Sequence, residues 1–186
     1  MKKLFSLLVG CLLVTVASAQ TVSKGKILLS PTLTNMSFNG ITVSNDGEKQ
    51  SFSRFGLQAS GGYAIMDDLA VMAGLGLQTG KYDDSSATAL DVYVGARYYV
   101  IPNVYAGAKF VIGNASIKNG VSSKADNAIK ANTLGVELNA GYSFFITDRF
   151  AFEPSVSYML GLNTKVQDTS FGLSMFSVNF GFLFVL

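Results

Sequence analysis

Few residues in this chain are placed to do chemistry. There is no histidine anywhere in the sequence, so the commonest acid–base group and metal ligand is missing and a Ser–His–Asp arrangement is impossible. Two carboxylate pairs stand out, Asp67-Asp68 and Asp83-Asp84. The first falls in a tight turn and the second at a loop start, both ordinary places for Asp. Asp83-Asp84 would supply only part of the six or more oxygens a calcium ion takes. Residues 74–81 read Gly-Leu-Gly-Leu-Gln-Thr-Gly-Lys. The spacing is wrong for a phosphate loop and Tyr82 stands where Ser or Thr is required, so that reading is rejected. What remains is a set of six isolated charges, Arg54, Asp91, Arg97, Lys109, Glu137 and Glu153, three basic and three acidic. No catalytic residue, metal site or cofactor is expected.

The elements that carry those charges must suit an unusual composition. The 186 residues are 49% hydrophobic and only 14% charged, against about 25% charged in an ordinary soluble domain. Disordered chains are polar and highly charged, so disorder is excluded. Formal net charge is +2. Without Lys2 and Lys3 the 14 basic residues become 12 and balance the 12 acidic ones, which leaves no basic face for nucleic acid.

Residues 1–19 read as a cleaved signal peptide. Met1-Lys2-Lys3 is a basic start, Leu4 to Val16 an apolar run, and Ala17-Ser18-Ala19 an A-x-A cleavage site. The run is shorter than the ~20 residues a membrane helix needs. Cleavage after Ala19 leaves one domain, residues 20–186. Leu8-Val9-Gly10-Cys11 also resembles a lipobox, the alternative cleavage site. Cleavage after Ala19 removes Cys11, the one cysteine, and with it any thiol chemistry.

The rest of the chain alternates with a period of two, the strand signal. In one example Phe55, Leu57, Ala59, Gly61, Tyr63 and Ile65 alternate with Arg54, Gly56, Gln58, Ser60, Gly62 and Ala64. Seven such segments are clear and an eighth runs from about Ile27 to Phe38, each near the ~9–11 residues of a tilted membrane strand. Three connections are tight: Met66-Asp67-Asp68, Ile101-Pro102-Asn103 and Ile146 to Arg149. Four are longer and polar: 39–51, about 80–88, 114–132 and 161–170. Tyr63, Tyr98 and Tyr142 each fall on the apolar face shortly before a tight turn, as in an interfacial aromatic girdle. Pro31 and Pro154 lie inside the proposed strands and are read as bulges or strand-end positions.

Alternation alone leaves open which face points outward. A secreted lipocalin-like binding barrel is apolar inside and wet outside. Here the polar face is mostly Gly, Ala and Ser with the six charges above, a poor water-facing surface. It suits a narrow closed lumen in which buried charges are paired, with the apolar face on lipid and every backbone group satisfied by closure. The expectation is an all-β, eight-stranded antiparallel up-and-down transmembrane β-barrel. Lys109 and Glu137 fall on neighbouring strands at similar height and are expected to pair; Arg97 and Glu153 lie lower. The set reads either as a plug of ion pairs or as a gate whose partners swap.

The chain resembles the small outer-membrane β-barrel families: OmpA-type and OmpX-like barrels and the porin-like outer membrane protein beta-barrel domain. The residues that carry the resemblance are the C-terminal run Asn179-Phe180-Gly181-Phe182-Leu183-Phe184-Val185-Leu186 and the hairpin phrase from Gly62 to Val71. The run is similar to the families' assembly signal at Asn179, Gly181 and Phe184, and departs from it at Leu186, where they prefer Phe. The resemblance implies a Gram-negative envelope, insertion from the periplasm by the barrel-assembly machinery, periplasmic termini, and contact with outer-membrane lipid and lipopolysaccharide. Outer-membrane barrels include enzymes, several of them dependent on a catalytic histidine that is absent here. A structural or surface-interaction role is expected, with external partners at 39–51 and 114–132. A narrow channel for small solutes is the alternative, although eight strands argue against an open pore.

Overall fold

Alternating apolar residues separated by Asp- and Asn-bearing turns build one continuous antiparallel sheet that closes on itself. The computed structural model describes residues 22–34, 39–41, 50–82, 85–118, 129–166 and 169–186. Its strands are β1 (Ile27–Thr34), β2 (Asn39–Ile41), β3 (Gln50–Met66), β4 (Leu69–Tyr82), β5 (Ser85–Ile101), β6 (Val104–Lys118), β7 (Ile129–Tyr142), β8 (Phe144–Thr147), β9 (Phe150–Val166) and β10 (Thr169–Val185). β1 and β2 both pair along β3, and β7 and β8 both pair along β9. The ten segments therefore make eight staves. The order runs β1-β10-β9-β7-β6-β5-β4-β3, and β3 pairs back onto β1 to close the barrel.

The apolar phase of each strand faces outward. Phe55, Leu57, Leu75, Leu77, Val92, Phe110, Ile112 and Leu138 are all exposed on the outer wall, while Gln58, Gln78, Asp91 and Asn179 are buried within. That is the inverse of a lipocalin-like barrel, so the soluble binding-barrel alternative falls.

The short turns share a one-residue slip in pairing, and two of them share a left-handed residue. At each, the pairing slips by a residue, as from Ala64↔Ala70 to Met66↔Leu69 and from Tyr99↔Tyr105 to Ile101↔Val104. Asp68 and Asn103 sit at φ +64° and +67°, the left-handed region that Asp and Asn tolerate better than other side chains. A three-residue loop with one left-handed residue produces such a slip.

The long connections are shorter than the sequence suggests. β4 reaches Tyr82 and β5 starts at Ser85, and β9 and β10 leave only 167–168 between them. Residues 114–118 and 129–132 are strand, as are 39–41 and 50–51. Beyond the lipid-facing band the outward residues are Ser86, Thr88, Asn114, Lys130 and Asn132, no longer apolar. The two faces then look alike in sequence although the ladder continues. The first strand ends at Thr34, and Asn35 to Phe38 lie outside the described residues.

Neither proline is a bulge or a strand end. Pro31 pairs with Ala59 of β3, but the β1–β10 ladder skips from Leu29↔Phe184 to Thr32↔Gly181. Pro154 pairs with Phe180 of β10, but on its other side the ladder skips from Gly141↔Ser155 to Phe144↔Phe152. Each proline sits mid-strand where one neighbouring ladder is already interrupted, so its missing N–H breaks no pairing there. The β-bulge lies elsewhere, in β9 around Leu162, where β9 carries one extra residue against β7.

Candidate functional site: the filled lumen

The lumen is built in layers from the short-turn end upward. Its floor is apolar. Leu28, Ala64, Ala70, Met72, Tyr99, Tyr105, Ala151, Leu183 and Val185 are buried together, with Phe145 against them. Val22 joins them at 2% exposure, delivered by a strap that precedes β1. The N–H of Asp68 donates to the Val22 carbonyl at 2.9 Å and that of Gly25 to the Ala64 carbonyl at 2.8 Å. The Lys24 N–H donates to Asp67 Oδ1 at 2.8 Å. Asp67-Asp68 thus anchors the strap. Strand alternation cannot register Val22, which lies outside any strand; the inward apolar phase of Ala64, Ala70, Leu183 and Val185 near the short turns is the one available signal.

Above the floor, Arg97 Nη1 contacts both Glu153 oxygens at 2.9 Å. The Ser143 hydroxyl donates to Glu153 Oε1 at 2.6 Å. Glu153 is 1% and Arg97 12% exposed, and the guanidinium lies 4.0 Å from the Tyr105 ring centroid. The extra bonds matter, because a buried carboxylate is tolerated only when its lone pairs are satisfied. Ser143 is available because it is the break between β7 and β8, its own N–H donating to the Asn103 carbonyl at 2.7 Å.

Higher still, Lys109 and Glu137 are direct cross-strand partners, with Nζ 2.9 Å from Oε1. Lys109 Nζ lies 4.6 Å from the Tyr93 ring centroid. Asp91 accepts from Gln78 Nε2. Tyr93, Val111, Met159 and Met175 pack together in the upper lumen. Of the six charges singled out in the sequence, four meet as two pairs and Asp91 joins an amide. Arg54 of β3 stands opposite Gly80 of β4, and its side chain lies outside the described residues.

Inward glycines make room for this filling. A Cβ on Gly74 would lie 2.6 Å from the Tyr93 ring, and one on Gly141 2.6 Å from that of Tyr105. Gly74 of the rejected phosphate-loop phrase is therefore the seat of a lumen tyrosine, and Gly76 makes room for Gln58 and Asp91. Asp83-Asp84 lies outside the described residues. Among the described residues no three His, Cys, Asp or Glu groups gather as a metal site.

The C-terminal run closes the barrel. Asn179 Nδ2 donates to the Ser157 hydroxyl at 3.2 Å. A Cβ at Gly181 would meet Thr32 Oγ1 at 2.8 Å. Phe184 and Leu186 are exposed on the outside, and the Leu186 and Ile27 backbones exchange hydrogen bonds at 2.8 and 3.0 Å. Tyr63 and Tyr98 lie half exposed on the outer wall, and Tyr142 packs on Phe144 at 4.4 Å. Beside them Phe150, Phe152, Phe180, Phe182 and Phe184 form one outer aromatic sheet, with Phe150 stacked on Phe182 at 5.6 Å.

Solved structures share this architecture. Neisserial surface protein A matches with a TM-score of 0.64 at 17% identity, over 87% of this chain and 97% of that one. AlkL, solved by solid-state NMR in DMPC bilayers, matches at 0.57 and 13%, over 91% and 93%. Ail, the attachment invasion locus protein of Yersinia pestis, matches at 0.51 and 14%, over 85% and 99%. At such identities the likeness is one of fold. No curated protein matches the sequence. The model of the outer membrane protein beta-barrel domain matches residues 6–184, and the chain belongs to that family and to the outer membrane.

Proposed function

We propose that this protein is a non-conducting barrel that holds surface segments on the outside of the cell. The observation that carries the reading is the filled lumen. An apolar floor, two ion pairs and an upper cluster of Tyr93, Val111, Met159 and Met175 occupy an eight-stranded interior only wide enough for side chains. Catalysis has no part in it, in keeping with a sequence without histidine. Ail is named for attachment and invasion, a surface role of the same kind.

In this reading residues 1–19 are a leader removed after Ala19, and the strap, the short turns and both ends of the chain face the periplasm. Tyr63, Tyr98 and Tyr142 sit at the inner interface. Asn179, Gly181, Phe184 and Leu186 serve the assembly machinery before they serve the closed barrel. Segments 39–51 and 114–132 meet external partners, and the strand ends beside them meet lipopolysaccharide.

The test is conductance of the refolded protein in planar bilayers, with antibody access to tags inserted at 45 and 123 on intact cells. No conductance steps together with labelled tags supports the reading. Regular steps would establish the channel alternative, with the ion pairs as a gate.

A further inference from the structure

The two lumen ion pairs are turned head to head. A cavity of about 30 Å³ lies between them, and Arg97 and Lys109 both line it. Neither carboxylate partner does. Glu153 lies behind Arg97, held by Ser143, and Glu137 lines a separate cavity of about 10 Å³ beside Asp91. Among the described residues the larger chamber therefore carries two cations and no carboxylate, and the smaller carries two carboxylates and no cation. The pairs are neutral in sum, yet their positive ends converge on one enclosed space.

We propose that the larger chamber is a binding site for one small inorganic anion of the halide class. Arg97 offers five N–H donors and Lys109 three, and Glu153 meets Arg97 through Nη1. The Tyr105 and Tyr93 faces pin the two cations in place. Thr32, Ser155 and Asn139 add hydroxyl and amide groups to the wall, each able to donate. The volume suits a monatomic ion or a water or two. The sequence hides this site because its members come from β1, β5, β6, β7 and β9, and because the charges balance when counted.

The experiment uses the protein refolded in detergent, with bromide as the probe. Crystals grown in bromide are expected to show anomalous density between Arg97 and Lys109. The thermal midpoint is expected to lie about 2–4 °C higher in bromide than in gluconate at equal ionic strength. Asn139→Leu, which fills the chamber, should abolish that shift. So should Lys109→Met combined with Glu137→Met, which removes one cation without stranding its partner. The difference between boiled and unboiled gel bands reports that each variant still closes. Equal midpoints in the two salts overturn the proposal, whether the crystals show waters alone or an adventitious ion only. A shift that survives in both folded variants places the halide elsewhere and also overturns it.

Discussion

Arg97 and Glu153 meet across the barrel rather than along its wall. Their strands, β5 and β9, are separated around the sheet by β6 and β7, yet Nη1 stands 2.9 Å from the carboxylate. Lys109 and Glu137 do the opposite, sitting side by side on adjacent strands at the same distance. One pair ties opposite walls together and the other stiffens one wall.

The two pairs therefore differ in coupling. Arg97→Met strands a buried carboxylate and is expected to cost about 3–5 kcal/mol, most of it recovered when Glu153→Met is added. A double-mutant cycle on Lys109 and Glu137 should give about 1 kcal/mol, the value of a cross-strand charge pair. Thermal midpoints read from the gel shift supply both numbers. Single-variant losses that simply add in the double variant would mean the cross-lumen pair contributes no coupling.

Removing the strap's anchor side chain weakens the floor. Val22→Ala deletes two buried methyl groups and should cost about 1.5 kcal/mol, at ~0.8 each. Val22→Leu overfills a space already closed by Leu28 and Leu183 and should also destabilise, by about 1–3 kcal/mol. Urea unfolding midpoints of the refolded variants check both. A neutral Val22→Ala would mean the strap lies off the floor in solution.

Gly141 has a steric duty. A Cβ there meets Tyr105 and, at 2.8 Å, Ser155, so Gly141→Ala should cost about 1–3 kcal/mol. Tyr105→Leu in the same chain should return part of that cost. The sign of the interaction in the cycle is the readout, since two independent losses would simply add.

Depth in the membrane separates two outward residues of neighbouring strands. Leu75→Arg on β4 puts a charge in the lipid band and should cost about 2–4 kcal/mol. Thr88→Arg on β5, beyond that band, should cost about 0–1 kcal/mol. Refolding yield and unfolding midpoints in phospholipid bilayers distinguish them. Equal penalties would move the membrane boundary past Thr88.

The sequence makes the barrel legible wherever one face meets lipid. Phe55 to Ile65 announces β3 because its outward and inward residues differ in kind, and the same contrast places Lys109 and Glu137 on adjacent strands. Contrast fails in two places. Above the lipid, Ser86, Thr88 and Asn114 match the polarity of the inward residues, so paired strand reads as loop. Below it, Val22 belongs to no alternating segment and its burial depends on a mouth that exists only after closure. Converging cation ends are invisible for a third reason: facing along a lumen is a property of the closed sheet, and no local spacing encodes it.

The joint between β1 and β10 also sets an order of events. Every other pairing joins segments that follow one another along the chain or lie one hairpin apart, so each can form by a short loop closure. Leu28 and Val185 come from opposite ends of the described chain, and bringing them together carries the largest entropic cost. Among the described residues its ladder is also interrupted, at Ser30 and Pro31. Sequence changes there are therefore expected to act on the folding rate, as the last and slowest closure, before they act on the equilibrium.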